Sequence, residues 1–290
     1  MFKISVVGDE VSQDFQSVVN FAAEFNLGAI EIRSVWNKPP QALTPRDIDQ
    51  MKRVLDGTGI SIVGIASPFL KCDIDDTNAR NEHHGILHAC IDLAKEFDAN
   101  LIRTFAFWYM DDVEERWSEI VAAYDEPVKI AESEGIVLGL ENEASTSLAT
   151  AKMTERFVSE IDSPNVRVVW DPANEFHAEG LGETPYPDGY ERLKRMMVHV
   201  HVKDSAKNSA TGKIECVAIG EGVIDWQNQL RALLDDGYDG YISLETHWRP
   251  ARKLDESLLN RPGGSTFSET GEVASQVCMK NLLAIIEKIR

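Results

Sequence analysis

Two shortages narrow the reading at once: no apolar run in the 290 residues is long enough to cross a bilayer, and basic side chains are scarce. A spanning helix needs about 20 consecutive apolar residues. The N-terminal MFKISVVGDE also lacks the apolar core and cleavage site of a secretory signal. The expectation is a cytoplasmic protein with no membrane partner. Lys and Arg number 29 against 48 Asp and Glu, a formal charge of -19, so the surface repels polyanions and no nucleic-acid partner is expected. Cysteine is sparse as well. Cys72, Cys90, Cys216 and Cys278 are scattered without a CxxC spacing, which argues against a zinc knuckle or redox pair and leaves reduced structural thiols. No Pro/Gly/Ser-rich linker divides the chain, which argues for one domain over residues 1–290. No glycine-rich phosphate turn follows the first apolar run, which argues against an open dinucleotide-binding sheet.

What is present is a repeat of short β-branched or aliphatic runs separated by helical patterns. The runs are FKISVVG (2–8), AIEIRS (29–34), SIVGIAS (61–67), LIRTFAFW (101–108), IVLGLENE (136–143), VRVVWDPA (166–173), VHVHVKD (198–204) and YISLETH (241–247). Two of the intervening helices are well marked. TPRDIDQMKRVLDGTG has Thr44 as a cap, Pro45 at the first helical position and Gly57 near its end, and DWQNQLRALLDDG runs from Asp225 to Gly237. Eight strand–helix units predict an α/β fold, a single (β/α)8 TIM barrel. The segment 249–270, with RPGG at 261–264, reads as a long loop and an active-site flap over the barrel mouth.

Side chains alternate between the two faces of a strand, and a barrel strand has helices outside and a packed lumen inside. In VHVHVKD the valines face the helices, so His199, His201 and Lys203 point into the lumen and rise towards the carboxyl ends, where barrels place their active sites. The same parity sends Glu141 and Glu143, Glu245, Val169 and Asp171, and Glu31 and Arg33 inward. Buried carboxylates and imidazoles are costly unless paired or bound to a cation, so this convergence points to a metal. Periodicity does not choose between Glu141 and Glu143, or between His199 and His201, because each pair shares a face.

The order LE on the fifth run, D-x-x-N on the sixth, H-x-H on the seventh and LE on the eighth resembles the xylose isomerase-like barrels, the sugar phosphate isomerases/epimerases, among which are ketose 3-epimerases. That resemblance implies one divalent metal ion on Glu141, Asp171, His201 and Glu245, Mn2+ or Mg2+ from the mainly hard donors, with Zn2+ a further candidate. EIRSVW (31–36) and SPFLK (67–71) add to the likeness without indicating a substrate. Asn174 stands where the epimerases commonly carry a substrate-binding histidine, while the arginine that they place beyond H-x-H is missing from KDSAKN. Asn174, Lys203, Trp36, Trp108 and His199 complete the candidate substrate-binding set. Of these, His199 lies one layer deeper, where a structural hydrogen-bonding role is favoured, and Lys203 has Glu143 or Asp204 as alternative partners. Trp248 also falls just beyond a strand end. His83, His84 and His88 fall on a helix and read as surface or packing residues.

The resulting expectation is a metal-dependent sugar isomerase or epimerase acting on a small carbohydrate. Glu141 and Glu245 would be its acid/base pair, removing and returning a proton through an enediolate. A lyase or dehydratase on a keto-sugar or cyclitol is the alternative, since the same enediolate can expel a β-hydroxyl. An apurinic-site endonuclease shares the barrel but is opposed by the acidic surface, and a non-catalytic sugar-binding barrel is opposed by the two glutamates. The resemblance also implies a homo-oligomer, a dimer or tetramer.

Overall fold

The alternating pattern closes into a cylinder. In a computed structural model that describes residues 1–178 and 180–289, β1 (Lys3–Val7), β2 (Ala29–Ile32), β3 (Ser61–Ile65), β4 (Leu101–Thr104), β5 (Val137–Glu141), β6 (Val166–Trp170) and β7 (Met197–Val202) pair in parallel. A hairpin, β8 (Asp204–Lys207) with β9 (Ile214–Val217), follows, and β10 (Tyr241–Leu244) closes the barrel between β7 and β1. All eight expected barrel strands are present, and each ends short of its predicted carboxyl limit because the chain there leaves the sheet to build the mouth. No helix among the described residues is long and apolar enough to cross a membrane.

Local chemistry explains the helix limits. Thr44 and Asp47 form a reciprocal capping box ahead of Pro45–Leu55. Asp225 accepts from the Asn228 N–H to start Trp226–Asp235, and Gly237, at φ +74°, supplies the left-handed turn that follows. The β8–β9 hairpin was not anticipated. It hangs on Asp204, whose buried carboxylate accepts N–H groups from Ser205, Gly220, Gly222 and Ile224. Segment 249–270 also differs from the expected loop, since it contains helices Glu256–Asn260 and Gly264–Ser268. Phe267 is fully buried between the Arg33 and Arg249 guanidiniums, whose carbons lie 4.8 and 4.9 Å from its ring centre.

The parity argument holds on β7: Val200 and Val202 are buried in the shell between barrel and helices, whereas His199 and His201 enter the lumen. Each such valine contributes about 1.5–3 kcal/mol through burial. The lumen is polar near its middle, where Ser5 Oγ lies 2.6 Å from Ser243 Oγ and Ser243 Oγ lies 2.7 Å from His199 Nε2. Gly139 is required two residues below Glu141, because a Cβ there would meet Val169 Cγ2 at 2.7 Å and Leu101 Cδ1 at 2.8 Å. Gly139→Ala should therefore overpack the lumen and cost about 1–3 kcal/mol in a denaturant melt. An unchanged midpoint would show that this layer can expand freely.

Candidate metal centre and active site

The carboxyl ends of β5, β6, β7 and β10 deliver Glu141, Asp171, His201 and Glu245 to one point. One ligand atom from each lies within 4.8 Å of the others, and all four residues are buried. His201 Nδ1 is 3.1 Å from Glu141 Oε1 and 3.5 Å from Glu245 Oε2. Asp171 divides its two oxygens. Oδ1 caps helix Pro172–His177 through the N–H groups of Ala173 and Asn174, leaving Oδ2 aimed at the cluster. The cap and ligand readings of Asp171 are thus compatible within one side chain.

Around the cluster lies a shell of paired charge. Arg103 Nη1 is 3.2 Å from Glu141 Oε2, Arg33 Nη1 is 2.6 Å from Glu245 Oε1, and Lys203 Nζ is 2.8 Å from Asp171 Oδ2 and 3.2 Å from Glu245 Oε2. Arg33 also binds Asp9 and Glu10, and Glu10 in turn holds Arg249 and His247. Buried carboxylates outnumber the buried lysines and arginines around this site. Two oxygens, Glu141 Oε2 and Asp171 Oδ2, are moreover buried without a well-directed hydrogen-bond donor. The donor set of three carboxylates and one imidazole therefore fits a divalent cation with hard or borderline preference.

Without such an ion the local charges distort one another. Burial and the neighbouring Glu245 and Glu141 push Asp171 up to about 6, against the opposing pull of Lys203. Burial alone would lower His201, but Glu31, Glu141 and Glu245 hold its imidazolium well above the usual histidine range. Burial would raise Glu245, yet Lys203, His247 and His201 keep it well below the usual carboxylate range.

Of the other candidate residues, Asn174 donates from Nδ2 to Glu141 Oε1 at 3.1 Å. Lys203 pairs with Asp171 and Glu245, not with the predicted Glu143 or Asp204; Glu143 instead takes Lys71, at 3.2 Å. Both Asn174 and Lys203 line a cavity of about 1620 Å³ at the mouth, as do Trp108 and Trp248. Trp36 does not line it and packs edge-on to Phe15, with ring centres 6.4 Å apart. His199 is sealed in the lumen between Glu31 and Ser243, so it contacts no part of the cavity.

Parity had turned Glu31 and Arg33 inward without assigning either a function. His83, read as a surface or packing residue, packs beside Phe69 with Nδ1 accepting the Leu70 N–H at 2.9 Å, and it also lines the cavity. His177 was overlooked. It lines the cavity with Nε2 2.9 Å from Ser205 Oγ, and burial, followed by the Lys203 charge, lowers its pKa to about 4. Segment 249–262 forms one wall, where Arg261 lies over the Trp108 ring at 5.2 Å and Lys253 pairs with Glu215 of β9.

Residues 19–264 match the family described as xylose isomerase-like TIM barrel. The chain belongs to that family. An inosose dehydratase from Erwinia tasmaniensis is 24% identical over 82% of this chain and 84% of its own. A fructoselysine 3-epimerase from Shigella flexneri is 25% identical over 77% and 82%. Among solved structures, a probable 3-DHS dehydratase from Bacillus anthracis superposes with TM-score 0.76 at 19% identity over 97% of this chain and 99% of that one.

A metal must take His201 as the free base and Asp171 as the carboxylate, so protons compete with it at both. Mn2+ binding should tighten as pH rises, by about tenfold per unit for each proton displaced. Titration calorimetry in buffers of different ionisation enthalpy reads both the affinity and the proton release. An affinity flat from pH 5.5 to 7.5, with no proton released, would exclude ligation by these groups.

Proposed function

We propose that this protein is a divalent-metal-dependent enzyme that removes the proton beside the carbonyl of a keto-sugar or keto-cyclitol and then expels the β-hydroxyl as water. The observation that carries the proposal is the convergence of Glu141, Asp171, His201 and Glu245 beside the buried ammonium of Lys203. Glu141, Asp171, His201 and Glu245 would hold the ion, which when bound supplies positive charge to substrate oxygens as negative charge develops there.

The chain's own groups supply the proton steps. Glu141 or Glu245 takes the carbon-bound proton as general base. The electron pair released forms the new carbon–carbon double bond as the β carbon–oxygen bond breaks, and Lys203 gives its proton to the departing hydroxyl to make water. Arg103 and Arg33, already ion-paired with these glutamates, restrain their carboxylates within the site. Trp108, Trp248 and the wall at 249–262 cover the ring and exclude bulk water, with that wall acting as the flap.

The sequence-based expectation placed isomerase or epimerase first. Dehydration is preferred here because Lys203 stands within the carboxylate cluster, where it can serve as an acid for a leaving hydroxyl, and because the inosose dehydratase likeness spans most of both chains. The missing arginine after H-x-H points the same way. Epimerisation is the second reading, supported by Glu141 and Glu245 facing each other across the cluster and by the fructoselysine 3-epimerase relative.

The test is incubation of the Mn2+-loaded protein with inososes, ketoses, keto-sugars and their phosphates in D2O. At least one substrate should lose water after exchange or loss of its α-proton. Glu245→Gln, which keeps the side-chain shape and removes the base, should slow that step by about 10²–10⁴-fold. Epimer or isomer formed without dehydration would move the assignment to the second reading. Proton exchange surviving both Glu141→Gln and Glu245→Gln would refute the carboxylate mechanism.

A further inference from the structure

The two histidines of H-x-H sit two residues apart on β7 and share Glu31, at the inner end of β2, as a hydrogen-bond partner. Glu31 Oε2 is 3.1 Å from His199 Nε2 and 3.1 Å from His201 Nε2, and Oε1 is 3.2 Å from His201 Nε2. Among the described residues no lysine or arginine pairs with Glu31, so its buried charge is met by these two imidazoles. A carboxylate has no proton to give, and each Nε2 must therefore be the N–H that donates.

The consequences for the two rings are opposite. With a proton on Nε2, a neutral His201 carries its lone pair on Nδ1, the atom 3.1 Å from Glu141 Oε1 and 3.5 Å from Glu245 Oε2. In His199 the Nε2–H is shared between Glu31 and Ser243 Oγ, 2.7 Å away, and Nδ1 is buried with no hydrogen-bond partner. The rings lie nearly perpendicular at 89°, with centres 5.5 Å apart.

Building on the proposed metal centre, we propose that Glu31 is a positioning residue: by accepting the Nε2 proton of His201 it turns the Nδ1 lone pair towards the ion, and it fixes His199 as a brace. The metal-ligand role thereby falls on the second histidine of the motif through an acceptor contributed by a distant strand. A carboxylate behind a ligating imidazole sets its tautomer and orientation and raises its basicity.

The test reads metal binding and ring protonation, not turnover. In the wild-type protein loaded with Zn2+, a diamagnetic probe, long-range 1H–15N correlation should show His201 with its proton on Nε2 and Nδ1 shifted by the metal. Glu31→Gln should weaken Mn2+ binding by about 10–100-fold, since an amide can donate to Nε2 and reverse the tautomer. Ser243→Ala, which removes a hydroxyl hydrogen-bonded to His199 and not to the His201 ring, should leave that affinity within about twofold. Metal coordinated through His201 Nε2, or equal loss of affinity in Glu31→Gln and Ser243→Ala, would overturn the inference. A second ion held by Glu31, His199 and His201, whose ligand atoms also lie within 4.8 Å of one another, would overturn it too. The wild-type spectrum can still overturn the inference if Glu31→Gln fails to fold, since coordination through Nε2 excludes it, and a wild type that binds no metal would instead remove the centre on which the inference rests.

Discussion

Uncompensated negative charge at the carboxyl end of the barrel is the constraint to which the rest of the structure answers. Buried carboxylates there outnumber the buried lysines and arginines, and isolated buried charge costs several kcal/mol per ion. Each carboxylate is therefore tied to a particular neighbour: Asp9 and Glu10 to Arg33, Glu31 to His199 and His201, Glu245 to Arg33 and Lys203, Glu141 to Arg103, and Asp171 to Lys203 and its own helix. Glu141 and Asp171, each with one oxygen lacking a directed donor, stand together in the cluster. The family fold sets the strand ends, and this local charge balance sets the chemistry.

The same constraint explains how the mouth is anchored on one side. Arg249 reaches from the end of β10 to Glu10 and to the carbonyl of Phe267, and Phe267 is packed between Arg249 and Arg33. Gln13 adds a hydrogen bond to Ser268 at 3.0 Å. Segment 249–270 is thus anchored at its base by the charge network of the site, while its outer part reaches Trp108 and β9 through Arg261 and Lys253. Losing either buried arginine would leave carboxylates unpaired, at a cost of about 3–5 kcal/mol, and would disturb the cavity wall together with the cluster.

Much of this was legible in the sequence because barrel strands have a period of two. The run VHVHVKD alone showed which side chains enter the lumen, and the same parity brought Glu141, Asp171 and Glu245 inward. What parity does not contain is contact between strands. Glu31 was seen to point inward, but its position behind His199 and His201 depends on barrel closure across 168 and 170 residues of chain. Lys203 had Glu143 or Asp204 as alternative partners from parity and adjacency, whereas the barrel offered Asp171 and Glu245. Trp36 looked like a rim aromatic because it follows a strand, yet its positive φ of 51° and its contact with Phe15 turn it away from the cavity. The β8–β9 hairpin depends on Asp204 gathering N–H groups from as far as Ile224, and no repeat marks it.

The central claim is that one divalent ion completes the charge balance of Glu141, Asp171, His201 and Glu245. Anomalous diffraction from crystals grown with Mn2+ tests it most directly. The account predicts a single strong peak per chain within coordination distance of all four residues, with the His201 contact made through Nδ1. A manganese peak elsewhere, or an ordered Mn2+-replete structure in which the four side chains point apart and no ion lies between them, would contradict it.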